Sequence, residues 1–168
     1  MDMPLTLCLA ILLPVAGFAQ MSSASAKRRV IILCTGNSAR SQMAEGFLRS
    51  FDSSLEVYSA GTDPAPRVNP FAVQVMKEVG IDISAGKPKA VDQFTGQPFD
   101  FVVTVCGDAD QNCPTFRGKV GKRLHIGFPD PARATGTDAE KLAVFRTVRD
   151  DIQAKFKDFY QKELRRRS

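Results

Sequence analysis

The apolar positions in the first half of the chain follow two different periods. A β-branched run at 29–33 and a second apolar run at 55–60 are typical of buried strands. Residues 39–51 and 69–79 instead repeat their apolar side chains at helical spacing, and Gly80 ends the second of these stretches. The pattern predicts a strand, a helix, a strand and a helix in that order.

The second half of the chain continues with two strands and a long helix. Phe99–Val105 has the strongest strand pattern in the sequence, and Arg123–Phe128 is a shorter strand. Thr137 and Glu140 form a capping-box pattern ahead of apolar residues that repeat at helical spacing as far as Phe159. Strands that alternate with helices predict an α/β fold: a single-domain three-layer sandwich with a mainly parallel four-stranded sheet and helices on both faces. Folds of this kind bind ligands at the carboxyl ends of their strands.

Composition narrows the class of protein and of partner. The 168 residues are enough for one domain, and 43% apolar with 24% charged residues is typical of a globular protein. The net charge is +5, but three arginines lie together at 165–167, so the rest of the chain has too little positive charge to indicate nucleic-acid binding. The charge favours a small anion as the partner. Four cysteines are too few for a secreted disulfide scaffold and indicate catalytic or redox chemistry.

The first 20 residues superficially resemble a signal peptide, because residues 4–19 are almost entirely apolar. The flanking charges contradict export, since Asp2 precedes the apolar run and the basic cluster at 27–29 follows it. As a helix, this run would reach only about 24 Å, short of the roughly 30 Å hydrocarbon core. We therefore expect residues 1–20 to be a non-native extension or a weak signal-like segment. The domain is expected to span residues 21–168, in the cytoplasm and without stable membrane association.

The loop that follows the first predicted strand has the features of an anion site. Amide N–H groups at the start of a helix point at whatever occupies such a loop, and they can lower the pKa of Cys34 from near 8.5 to roughly 3.5–7.5. Arg40 can grip two oxygens of a tetrahedral anion, and Ser41 can donate a hydrogen bond to the thiolate. Gly36 and Asn37 tolerate the positive φ that a tight loop demands, and the Asn37 amide can pin the loop. We expect the oxyanion to be bound by Thr35, Gly36, Asn37, Ser38, Ala39, Arg40 and Ser41.

These motifs resemble those of a known family. The stretch Cys34–Ser41, followed by Gln42–Gly46, resembles the thioredoxin-coupled arsenate reductases, which share the low-molecular-weight protein tyrosine phosphatase fold. The resemblance runs from about Arg29 to Phe159 and also includes Tyr58–Gly61, Val102–Cys106 and the Asp130–Pro131 pair. The anion loop alone fits both families, so a low-molecular-weight protein tyrosine phosphatase remains the alternative.

The resemblance implies a role for three cysteines and one acid. Cys34 would attack arsenate, Cys106 would attack the resulting adduct, and Cys113 would resolve the disulfide before thioredoxin recycles the enzyme, which would serve arsenic detoxification. Reduction of arsenate takes two electrons, which a lone thiolate supplies only by forming a disulfide. Asp130 matches the family's general acid, and the proline after it favours an extended backbone. Cys106 and Cys113 are seven residues apart, so a helical segment would hold them about 10.5 Å apart along its axis, and a disulfide between them requires a loop or unwinding.

The sequence predicts no tightly bound cofactor. Some relatives bind potassium beside the catalytic loop, and Asn37, Glu45 and Ser59 match part of that ligand set. Lys87 and Lys89 lie where the remaining ligands would align, which argues against potassium dependence. His125 is the single histidine and the cysteine spacing is wrong for zinc, so we expect no metal site, with His125 satisfied by a neighbour. We expect a monomer that binds arsenate, with phosphate or sulfate as competing oxyanions.

Overall fold

The computed structural model describes residues 27–107, 111 and 114–165. The predictions for residues 1–20 and for Cys113 lie outside these residues. Short 3-10 turns occupy Val91–Gln93 and Pro131–Arg133, and a π-helical turn at Tyr160–Leu164 follows the last helix. The strands are β1 (Arg29–Cys34), β2 (Glu56–Gly61), β3 (Phe99–Thr104) and β4 (Val120–His125), and the helices are α1 (Arg40–Phe51), α2 (Pro70–Glu78) and α3 (Asp138–Phe159).

The four strands form one parallel sheet in the order β2-β1-β3-β4. Strand β1 therefore lies inside the sheet, between β2 and β3. Its last residue, Cys34, is in register with Gly61 of β2, and Leu33 is in register with Thr104 of β3. This confirms the predicted single-domain α/β fold class, and it places the carboxyl ends of three strands around Cys34.

Alternate residues of β1 face two separate apolar cores. Val30 and Ile32 pack into a cluster with buried side chains of all three helices. Ile31 and Leu33 point to the opposite face, where the cover comes from the Val91–Gln93 turn and from aromatic side chains. Among the described residues, the three α-helices thus share one face of the sheet, and the Val91–Gln93 3-10 turn packs against the other.

Strand β4 begins three residues earlier than its apolar pattern predicts. The pairing starts at Val120 and passes through Gly121, where a Cβ atom would lie 2.6 Å from the Asp100 carbonyl oxygen. Glycine allows this close approach to β3, and the apolar pattern alone does not mark it. Past the end of β4, the N–H groups of Ile126 and Phe128 still donate to carbonyls of residues 104 and 105, at 2.9 and 3.1 Å. The predicted apolar run is therefore extended as expected, although the assigned strand ends at His125.

Helix α3 is fixed at its start by a side-chain cap and along its length by a partly buried ion pair. The Thr137–Glu140 capping box is present, as the sequence predicts. The buried guanidinium of Arg149 donates to the Val75 carbonyl oxygen at 2.9 Å and to Glu78 at 3.0 Å, which ties α3 to the end of α2. None of the helices in the described ranges combines the length and the apolar composition that crossing a bilayer requires.

Candidate active site

The loop between β1 and α1 is held from behind by the segment that follows β2. The carbonyl oxygens of Cys34, Thr35, Gly36 and Ser38 accept hydrogen bonds of 2.8–3.2 Å from N–H groups of residues 62–69. Because these carbonyls are turned toward that segment, the loop presents amide N–H groups rather than carbonyls at its other side. This arrangement is consistent with the predicted anion site, which stays a prediction.

The start of α1 adds to this positive field. Its N-cap residue is Ala39, which makes no side-chain capping bond, and the first turn carries no acidic residue. Helices normally satisfy these first N–H groups with a Ser, Thr, Asp or Asn side chain. An oxyanion in the loop would supply both the acceptors and the negative charge. The loop opens into a cleft of about 510 Å³, lined by Cys34, Thr35, Gly36, Ser38, Ala39, Arg40, Asp63, Cys106, Gly107, Asp130, Ala132 and Arg133.

Asn37 pins the loop, as the sequence predicts. It is fully buried and has a φ of 47°, in the left-handed region that asparagine tolerates. Its Nδ2 donates to the Ser41 hydroxyl at 2.9 Å and to the Ser59 hydroxyl at 2.8 Å, and its Oδ1 accepts from the Lys89 N–H at 2.8 Å. The Ser41 hydroxyl accepts from this amide, which leaves its own O–H available as a donor, so the predicted Ser41 hydrogen bond to the Cys34 thiolate stays a prediction.

Cys34 and Cys106 meet at the floor of the cleft. Both side chains are buried, the two thiols share a hydrogen bond, and the Thr35 hydroxyl lies 3.4 Å from the Cys106 sulfur. The Cys106 thiol and burial raise the pKa of Cys34 above its ordinary value, while the Arg40 guanidinium and the Asn37 N–H act to lower it. The expectation of a lowered Cys34 pKa is therefore wrong for this arrangement. The loop acts in the predicted direction, but the contact with the second thiol outweighs it.

Arg40 and Asp130 are paired across the mouth of the cleft. The Arg40 Nη2 lies 3.3 Å from the Asp130 Oδ2, and its Nη1 donates to the Phe128 carbonyl oxygen at 3.1 Å. The second Asp130 oxygen accepts from the Ala132 N–H at 3.1 Å, which fixes the carboxylate at the start of a 3-10 turn. The structure thus brings the predicted nucleophile, anion-binding arginine and general acid to one cleft. Arg133, a side chain that sequence analysis missed, also approaches Asp130 Oδ2, at 3.9 Å.

The potassium ligands suggested by the resemblance form a hydrogen-bonded chain of their own. The Ser59 hydroxyl donates to the Glu45 carboxylate, whose other oxygen lies 2.7 Å from Arg49. The cation against Glu45 is therefore Arg49 rather than a lysine, since Lys89 Nζ donates to the Lys87 carbonyl oxygen on the exposed side. Over the described ranges, no group of three or more His, Cys, Asp or Glu side chains could hold a metal ion.

Three further residues lie at or near the site: one was expected from the sequence and two were missed. His125 lies at the end of β4 with its Nδ1 2.8 Å from the Thr104 hydroxyl, as expected for a histidine satisfied by a neighbour. At Gly61 a Cβ atom would lie 2.3 Å from the Thr35 carbonyl oxygen, so this glycine lets β2 approach the nucleophile loop. Sequence analysis gave Gly61 no role, and Asp63, which lines the cleft, was also missed. No periodicity or local motif marks either position.

Comparisons with known proteins agree with this geometry. The family model for the low molecular weight phosphotyrosine protein phosphatases matches residues 29–168. The arsenate reductase of Halalkalibacterium halodurans is 51% identical over 134 residues, which cover 79% of this chain and 95% of that protein. A solved arsenate reductase in the phosphate-binding state is 32% identical, with a TM-score of 0.68, over 80% of this chain and 98% of that chain. A thioredoxin-dependent arsenate reductase from Corynebacterium glutamicum is 27% identical, with a TM-score of 0.60, over 82% of this chain and 62% of that one.

Proposed function

The chain belongs to the low molecular weight phosphotyrosine protein phosphatase family, and we propose that it uses the anion loop of that family to reduce arsenate to arsenite. The contact between the Cys34 and Cys106 thiols carries this proposal. A phosphatase needs one nucleophilic cysteine, whereas arsenate reduction needs a second thiol within bonding reach of the first. The high identity to named arsenate reductases over most of both chains supports the same reaction.

The first step is the attack of the Cys34 thiolate on arsenic. The loop amides and Arg40 hold the arsenate oxygens, and an oxygen of arsenate leaves as Cys34 sulfur bonds to arsenic. Asp130, 3.3 Å from Arg40, is placed to give this leaving oxygen a proton so that it departs as water. Contact with the Cys106 thiol raises the pKa of Cys34. The Cys34 thiolate therefore forms when this contact is lost and only the loop amide and Arg40 act on the thiol.

The second step transfers the electrons. The Cys106 thiolate attacks the Cys34 sulfur, the sulfur–arsenic bond breaks, and its electron pair stays on arsenic, which leaves as arsenite. Two thiols are oxidised to one disulfide as arsenic(V) becomes arsenic(III), so the electrons balance. Cys113 then attacks Cys106 and releases Cys34, and an external dithiol protein reduces the Cys106–Cys113 bridge. The thioredoxin dependence of the Corynebacterium glutamicum relative supports thioredoxin in this last role.

The proposal extends to the cellular compartment, the competing anions and the potassium requirement of the enzyme. Turnover by this route starts from free Cys34 and Cys106 thiols, as the structure has them, and a reducing compartment such as the cytoplasm would keep them reduced. Phosphate and sulfate have the tetrahedral shape that the loop amides recognise, and they are proposed as competitors. Because Arg49 already neutralises Glu45, we expect no requirement for added potassium.

Phosphatase activity is the second candidate, and the pairing of Arg40 with Asp130 beside Cys34 favours it as a side activity. These three groups suffice for phosphoryl transfer to a cysteine. The cleft walls differ from what an aryl ester needs, because the described lining residues include no aromatic side chain.

A thioredoxin-coupled assay of NADPH oxidation with arsenate tests the proposal. We expect arsenate-dependent turnover in the wild-type protein and none in the Cys34→Ser variant, because a hydroxyl is not a nucleophile at neutral pH. Hydrolysis of p-nitrophenyl phosphate, measured on the same preparations, reports the phosphatase reaction. Turnover of the ester without arsenate-dependent NADPH oxidation would overturn the proposed function in favour of the phosphatase.

A further inference from the structure

A buried glutamine beneath the nucleophile loop has no part in the chemistry described so far. Gln42 lies in the first turn of α1 and is only 4% exposed. Its Nε2 lies 3.1 Å from the Asn37 carbonyl oxygen, 3.4 Å from the Asn37 Oδ1 and 3.3 Å from the Lys87 carbonyl oxygen. One amide group thus joins the turn of the loop to a segment 45 residues further along the chain.

The residue that Gln42 holds is the one with the least favourable backbone. Asn37 has a φ of 47°, and a non-glycine residue stays in this region only when its surroundings hold it there. The orientation of the Asn37 carbonyl is set by Gln42, and the orientation of its side chain is set by Ser41, Ser59 and Lys89. These bonds fix both ends of the residue whose N–H points at the Cys34 sulfur.

The surroundings leave little freedom for the Gln42 side chain. A Cβ atom at Gly86 would lie 2.7 Å from the Gln42 Oε1, so the chain passes very close to this amide. The Gly86 N–H donates to the Ile83 carbonyl oxygen in a tight turn. Three residues later, the Lys89 N–H donates to the Asn37 Oδ1 in the nucleophile loop. The turn at 83–89 therefore packs against Gln42 from outside the helix.

We propose that Gln42 is a positioning residue: by holding the Asn37 carbonyl it fixes the peptide between Asn37 and Ser38 and the left-handed backbone of Asn37, and so keeps the loop in the conformation in which the Asn37 N–H faces Cys34. The Asn37 N–H lowers the pKa of Cys34, so the loss of this orientation removes one of the two groups that favour the thiolate. Rotation of the freed peptide between Asn37 and Ser38 would also aim the Asn37 carbonyl oxygen toward the bound anion and weaken its binding. This inference rests on the proposed function only in taking Cys34 and its loop as the reactive site.

The test uses Gln42→Met, which keeps the length and volume of the side chain but has no N–H donor. The matched control is Gln74→Met, which makes the same change on the exposed face of α2. Phosphate affinity is measured by calorimetry on otherwise unchanged protein. The Cys34 pKa is taken from the pH dependence of iodoacetamide alkylation in a Cys106→Ala background, read by mass spectrometry of the Cys34 peptide.

We expect Gln42→Met to raise the Cys34 pKa and to weaken phosphate binding about fivefold to tenfold, as the loss of one or two hydrogen bonds implies. Gln74→Met should change neither value. A lower midpoint of thermal unfolding with an unchanged Cys34 pKa and unchanged phosphate affinity would show that Gln42 only stabilises the fold, and would overturn the proposal.

A second variant keeps the test decisive if Gln42→Met does not fold. Gln42→Glu has the same shape, loses both donors at neutral pH, and regains one O–H donor when its carboxyl is protonated. Relative to the wild-type protein at each pH, its phosphate affinity should recover as the pH falls, and a constant deficit would contradict the positioning role. Neither measurement requires arsenate turnover, so a failure of the reductase assay would overturn the proposed function without deciding the role of Gln42.

Discussion

Asp130→Asn separates the binding of the oxyanion from the transfer of a proton, because Asp130 has opposite effects on the two. In the structure its carboxylate lies 3.3 Å from the Arg40 guanidinium, the group that is proposed to grip the oxyanion. An oxyanion must therefore displace the Asp130 carboxylate from Arg40 before two of its oxygens can accept hydrogen bonds from the guanidinium. Once the anion is bound, the same carboxyl group is proposed to protonate the leaving oxygen.

The structure sets the size of each effect. Two charges 3.3 Å apart attract by about 1 kcal/mol in a high-dielectric cleft, and both side chains here are less than one-third exposed. Asparagine removes this competition, so phosphate should bind about fivefold more tightly to the variant. The loss of a general acid should lower kcat for arsenate by about 100-fold to 10,000-fold. Tighter binding together with slower turnover is the signature that we expect.

Calorimetry with phosphate and the thioredoxin-coupled assay with arsenate measure the two effects on one preparation. Asp63→Asn is the matched control, since Asp63 lines the same cleft and, within the described residues, forms no ion pair with Arg40. If Asp63→Asn tightens phosphate binding as much as Asp130→Asn does, the gain comes from the overall charge of the cleft. Unchanged or weaker phosphate binding in Asp130→Asn would refute competition for Arg40.

Three further predictions address the cysteines and the fold. Cys106→Ala should lower the pKa of Cys34, because it removes the largest cause of the increase, and a shift of Cys34 alkylation to higher pH would contradict this. Cys106→Ser and Cys113→Ser should each abolish steady-state arsenate reduction and leave hydrolysis of p-nitrophenyl phosphate largely intact; equal loss of both activities would make these cysteines structural. Glu78→Gln should lower the midpoint of thermal unfolding at neutral pH. The hydrogen bond from Arg146 holds the pKa of Glu78 below its ordinary value, so this stabilisation is present above about pH 4.3 and lost as the pH falls through the lowered pKa, and the difference in midpoint should shrink in acid.

Features that depend on neighbouring residues in the chain could be predicted from the sequence. The strand ending in Cys34 and the helix that starts at Arg40 follow from local apolar periods, and the Thr137–Glu140 cap follows from a three-residue spacing. The left-handed Asn37 is a property of one residue type in a tight loop. The anion loop was predictable for the same reason, because its donors, its arginine and its cysteine all lie within eight residues.

Features that depend on sheet register could not be predicted in this way. A Cβ atom at Gly61 would lie within 3 Å of the nucleophile loop, and one at Gly121 within 3 Å of β3, and both distances are set by which strands pair. The bonds from Gln42 to Lys87 and from Asn37 to Lys89 join segments about 50 residues apart. A glycine or a glutamine in these places has no distinctive local pattern, so sequence analysis assigned them no role.

The Cys34 pKa shows why the local and long-range contributions have to be weighed together. The loop amide and Arg40 lower this pKa, as a reading of residues 34–41 alone predicts. Cys106 reaches Cys34 only because β3 lies beside β1, with Thr104 opposite Leu33, and its thiol contributes the larger effect in the other direction. The same contact that holds back the Cys34 thiolate also places the second thiol where the electron-transfer step needs it. In this arrangement the nucleophile is therefore less acidic than a free thiol, and Arg40 and the Asn37 N–H act against that rise in pKa.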